Sequence, residues 1–163
     1  MNEGVHGRQC GSCTMCCSGW INATINEQKL RPGKACRHCV KEGCAIYENR
    51  PVVPCASFKC GWLADESPMP EHMNPVESGA IILFDRKWNG MPCVFALPTG
   101  STVPPDTLEW LMSYSRKNNI PLIFMENTFE NGKFIEKKET GYGPPVFIQA
   151  VRNAIKSEDI FML

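Results

Sequence analysis

Neither sign of charge is in surplus. The chain has 17 Lys and Arg against 17 Asp and Glu, so it carries no electrostatic footprint for nucleic acid or for an anionic membrane. Long apolar runs are missing too. The longest, Ala80-Ile81-Ile82-Leu83-Phe84, falls far short of the roughly 20 residues that span a bilayer. Met1 to Gln9 is polar, with Glu3, His6 and Arg8, unlike the apolar stretch of a secretory signal. A soluble, cytoplasmic protein is expected. Catalytic signatures are as sparse. Asp85, Glu109 and Glu126 are scattered and form no readable carboxylate pair. There is no Gly-rich loop after a strand to hold a methyl donor, and no CxxxCxxC run of the kind radical enzymes use. The histidines, His6, His38 and His72, leave a Cys–His nucleophile open as a reading, but a metal-coordinated thiolate is less free to attack.

Cysteine is what the chain has in excess. Ten are present, nine of them before residue 61, far more than core packing asks for. In a reducing compartment, clustered cysteines read as metal ligands rather than disulfides. The even count is what a disulfide framework would also show. Cys10-x-x-Cys13-x-x-Cys16-Cys17 repeats a two-residue step. Such a step sets two sulfurs on one side of a tight turn, where both reach a metal at about 2.3 Å in the zinc case. On a helix Cys10, Cys13 and Cys17 would share a face, with Cys16 beside Cys13. Adjacent residues rarely point at one centre, so Cys16 and Cys17 serve either two metals or two atoms of one cluster. A second group follows: Cys36, Cys39 and Cys44, then Cys55 and Cys60. Cys93 stands apart on a predicted strand and is expected to be a buried apolar residue. Four thiolates hold one zinc or one four-iron cluster; nine exceed one site. The first run differs from ferredoxin spacing, because its fourth cysteine follows the third directly. Eight Lys/Arg against five Asp/Glu through Asp65 would balance the negative charge of metal–thiolate sites.

The run Cys10-x-x-Cys13-x-x-Cys16-Cys17 resembles the name-giving motif of the CxxCxxCC cysteine-cluster family, zinc- or iron-chelating proteins. Cys44-Ala45-Ile46-Tyr47-Glu48-Asn49-Arg50-Pro51 with Cys55 resembles that family's second signature. The likeness covers roughly residues 10–62. It implies a ligand set of Cys10, Cys13, Cys16, Cys17, Cys36, Cys44, Cys55 and Cys60. Cys39 sits where the family usually has an apolar residue and is an extra. Val52-Val53-Pro54 before Cys55 departs a little from the pattern. The implied cofactor is an iron–sulfur cluster, most simply a four-iron one, or zinc.

Around these ligands, Arg50 is a candidate donor to cluster sulfurs and Tyr47 a residue packed over the site. Trp20 and Trp62 are expected to shield the metal. His38 is expected to be a solvent-exposed loop histidine, and the methionines from Met69 to Met73 incidental to a loop. Residues 1–65 form the metal-binding segment. Residues 66–75, with three prolines, read as a linker or wrapping loop. Residues 76–163 read as an α+β unit of hairpin, helix, hairpin, helix. Asn89-Gly90 and Asn131-Gly132 supply the turns. Leu108, Leu111 and Met112 mark the face of the first helix; Phe147, Ile148, Val151 and Ile155 mark that of the second. A four-stranded, mostly antiparallel sheet with both helices on one face is the simplest product. Functionally these features point to an iron–sulfur protein, redox or enzymatic. The alternatives are a structural zinc module beneath a protein-interaction surface, and a metal-sensing or delivery protein. The partner in every case is a metal ion or cluster, with an unidentified protein partner open.

Overall fold

The computed structural model describes residues 7–161, with side chains as far as Ala154. His6 and the side chain of Ile155 lie outside the described residues. The fold is α+β. Four long strands make the sheet: β5 (Ala80–Trp88), β6 (Met91–Pro98), β7 (Leu122–Glu130) and β8 (Lys133–Tyr142), in that spatial order. The two hairpins are antiparallel, while β6 and β7 run parallel, so the sheet is mixed. Both hairpins close on the expected Asn-Gly pairs, with Asn89 and Gly90 at φ 46° and 78° and Asn131 and Gly132 at 50° and 74°. Positive φ at both central residues is what a two-residue hairpin needs.

The parallel pairing follows from the crossover. Helix α2 (Pro105–Asn118) carries the chain from β6 to β7, and parallel neighbours require such a connection. Its Thr107 hydroxyl donates to Ser78 O at 2.7 Å, and Asn119 ends it at φ 53°. Leu111 of α2 packs with Ala80, Ile82, Val94, Ala96 and Leu122. Alternation along the strands turns Ile81, Leu83, Leu97 and Ile123 to the opposite face. Helix α3 (Pro145–Phe161) packs there, placing Phe147 against Cys93 and Ile123. The helices therefore cover opposite faces, not one. The α2 face is already filled, because Met69 and Met73 pack into it. These two methionines are core residues, each 3% exposed, and not incidental to a loop. Residues 66–75 wrap, leading into a short helix α1 (Pro75–Ser78) whose cap is the Asn74 side chain.

Residues 7–65 have little regular structure. Two small hairpins, β1 (Thr24–Ile25) with β2 (Gln28–Lys29) and β3 (Cys39–Val40) with β4 (Gly43–Cys44), are joined by turns. This segment packs on the same face as α3, over the part that α3 leaves free. Cys60 and Leu63 share a core with Ile81, Leu83 and Leu97, and Gly61 N donates to Ile82 O at 2.6 Å.

Candidate metal centre

The thiol-rich region is built from turns, and each turn has a local cause. Gly11 at φ 54° lets Cys13 N donate back to Cys10 O at 2.8 Å, which folds the first two-residue step. Ser18 closes the next turn with its hydroxyl on Thr14 O at 2.8 Å. Cys16–Trp20 then form a wide π-type turn interrupted at Gly19, φ 96°. A side chain at Gly19 would collide with the carbonyl of Arg31, so only glycine lets residues 16–20 lie on the Arg31–Lys34 turn. Arg8 anchors the entry. Its guanidinium pairs with Glu71 at 2.9 Å and donates to Trp62 O at 2.9 Å and Met69 O at 2.8 Å. It also lies over the Trp62 ring, 4.8 Å from the centroid.

The nine N-terminal cysteines line one cavity of about 430 Å³, in two groupings. Cys60 is buried, and Cys16 packs on it with Met15, Trp20 and Leu63. Burial raises the Cys60 thiol above its ordinary value, and the backbone N–H groups of Leu63 and Trp62, which point at its sulfur, offset part of that rise. Burial pushes the Cys16 thiol well above its ordinary value, and the thiols of Cys60, Cys13, Cys17 and Cys10 push it further. The second grouping centres on buried Cys36, which packs with Cys17, Cys39 and Cys55 around Ile25 and Leu30. Cys36 N donates to Cys17 O at 2.8 Å and Cys39 N to Cys36 O at 2.9 Å. Cys39 and Cys44 face each other directly across the β3–β4 hairpin. Cys17 is pushed up to about 12, first by burial, then by the thiols of Cys39, Cys44, Cys36 and Cys55. In the metal-free chain the neighbouring thiols thus oppose ionisation of Cys16 and Cys17. A soft cation relieves that opposition, so the donor set suits a thiophilic metal.

Cys16 joins Cys10 and Cys13, while Cys17 turns away to the later cysteines. The single-face expectation for Cys10, Cys13 and Cys17 is therefore not met, because the segment is a chain of turns and not one helix. All ten cysteines are free thiols. Among the described residues, no group of three or more His, Cys, Asp or Glu side chains stands in the geometry that would hold a metal ion. The thiols surround a space without converging on a point.

No family model, curated protein or solved structure matches this chain. The likeness to the CxxCxxCC family rests on its two motifs alone.

Of the other candidates, Arg50 stacks on the Tyr47 ring, 3.7 Å from the centroid, and donates to Tyr47 O. Burial raises the thiols of both Cys10 and Cys55, and the Arg50 charge offsets part of that rise in each, so it acts on both groupings. Tyr47 is at the cavity wall, 36% exposed, and holds Arg50 more than it covers the thiols. Trp62 lines the cavity, but Trp20 packs edge-on to Phe129 and does not line it. His38 is half-buried on the cavity wall, not in a solvent-exposed loop position. Cys93 is 1% exposed and packs against Phe147 in a separate part of the core. Arg8 has no motif around it; its place two residues before Cys10 is the one sequence signal.

Proposed function

We propose that this chain is a metal-binding protein whose first 65 residues carry iron–sulfur chemistry on Cys10, Cys13, Cys16, Cys17, Cys36, Cys44, Cys55 and Cys60, with Cys39 as an additional thiol, in a cytoplasmic setting that keeps the thiols reduced. The observation that carries the reading is the cavity of about 430 Å³ with nine thiols on its walls. A lone zinc draws four thiolates to about 2.3 Å and leaves no such space. A four-iron cluster occupies volume of its own and takes each thiolate on a different iron. When bound, such a group supplies electron transfer or Lewis acidity. The chain's own part is to position the sulfurs, to direct the N–H groups of Leu63 and Trp62 at Cys60, and to place the Arg50 charge beside the site.

One observation favours a structural zinc reading. The core around Cys36 has only Ile25 and Leu30 as its other buried members, so a metal would contribute directly to folding that lobe. Purification under nitrogen with iron, sulfide and zinc analysis separates the two. Iron with acid-labile sulfide, and broad absorption at roughly 400 nm, is the expected result. A colourless chain holding zinc overturns the iron–sulfur reading.

A further inference from the structure

We propose that the N-terminal thiols make two separate metal centres, one held by Cys10, Cys13, Cys16 and Cys60, the other drawn from Cys17, Cys36, Cys39, Cys44 and Cys55, with the chain crossing between them at the Cys16–Cys17 peptide bond. This rests on the metal-binding reading above and assigns its ligands. The packing carries it. Cys16 and Cys60 pack in a cluster with Ile81 and Leu83 of β5. Cys17, Cys36, Cys39 and Cys55 pack in another, around Ile25 and Leu30, and the two clusters share no residue. Of the remaining thiols, Cys10 and Cys13 are joined to each other, Cys13 N donating to Cys10 O at 2.8 Å, in the short run of turns that leads into Cys16, and Cys44 pairs directly with Cys39 across its hairpin.

The local backbone explains why neighbours part. Cys16 and Cys17 begin the turn Cys16–Trp20, and successive side chains on a helical turn diverge by roughly 100°. Cys16 then faces the sheet. Cys17 faces the segment that Cys36 N holds through its bond to Cys17 O, 2.8 Å. Each set contains the four thiolates that one tetrahedral metal or one four-iron cluster takes. The partition holds for either metal.

The test compares metal content in three full-length chains purified under nitrogen: wild type, Cys10→Ser/Cys13→Ser and Cys44→Ser/Cys55→Ser. These four cysteines are exposed or half-buried. Each variant is expected to retain half of the wild-type metal per chain, and a chain with all four substitutions none. Wild type reconstituted with cadmium-113 is expected to give two sets of thiolate-bound resonances, with one set missing in each double variant. A single set in wild type, or full metal retained in either double variant, overturns the partition. A wild-type chain that binds no metal at all sinks the metal-binding reading itself, which is a different result from one centre in place of two.

Discussion

Arg8 shows how little of a salt bridge's worth lies in the ion pair. Its partner Glu71 is 78% exposed at the side chain, and an exposed pair contributes roughly 0–1 kcal/mol. The same guanidinium is 10% exposed and satisfies the carbonyls of Trp62 and Met69. Removing it leaves those two acceptors beside an apolar core, at about 1–3 kcal/mol for each group unsatisfied. Arg8→Ala is therefore expected to lower the urea-unfolding free energy by at least about 2 kcal/mol, and Glu71→Ala by less than about 1. Equal effects of the two variants in urea melts would refute this ordering. A second residue-scale expectation concerns pH in the metal-free chain. Cys17 is pushed up to about 12, mainly by burial, against about 8.5 for a free thiol. Between those values the unfolded chain loses a proton that the folded chain keeps, so stability is complete below about pH 8.5 and falls as pH rises. Thermal melts of the metal-free protein should move down from pH 8 to pH 10.5. The metal-loaded protein, whose thiolates are already deprotonated, should shift less.

At the scale of elements, the contact between the thiol segment and the sheet depends on Gly61. Its N–H bonds Ile82 O at 2.6 Å, and a Cβ there would lie 2.7 Å from the Phe84 ring and 2.8 Å from Ile82 O. One of these atoms is β5 backbone, so relief requires Gly61 or the strand itself to shift. Gly61→Ala is expected to cost about 1–3 kcal/mol by overpacking and to loosen Cys60 next to it, lowering bound metal. An unchanged melting temperature with unchanged metal content would show that the strand edge yields easily. These elements differed in how legible they were. The hairpins were readable because Asn-Gly at residues 89–90 and 131–132 fixes the backbone locally. Helix α2 was readable because Pro104-Pro105 and Asn118-Asn119 bound an apolar period. Which face each helix takes was not, since it depends on contacts such as those of Met69 and Met73 on the α2 face, between residues distant in the chain. The cysteine motifs picked out the nine thiols that line the cavity. The separation of Cys16 from Cys17 depends on Gly19 and on the Cys36–Cys17 backbone bond, a contact between residues far apart in the chain that spacing cannot encode.

Across the whole molecule, the sheet has two faces and only one is closed by its own helix over β5 and β6. The face of α2 is sealed by Leu111 and by Met69 and Met73. On the other face α3 covers Cys93 and Ile123, while Ile81, Leu83 and Leu97 are covered by Cys60 and Leu63 from the first segment. A fragment beginning at residue 76 would bare these three side chains, together with the groove left by Met69 and Met73. Fully burying an aliphatic side chain contributes about 1.5–3 kcal/mol, so exposing five such positions outweighs much of the roughly 5–15 kcal/mol by which a domain of this size is stable. Residues 76–163 alone are therefore expected to bind a hydrophobic dye and to self-associate. Residues 59–163, which restore Cys60, Leu63, Met69 and Met73 without the first thiol run, should recover a cooperative thermal transition. If the shorter fragment melts cooperatively as a monomer, the sheet does not need the cysteine-rich segment. The coupling between the two halves would then run through contacts such as Gly61 N on Ile82 O and Trp20 on Phe129.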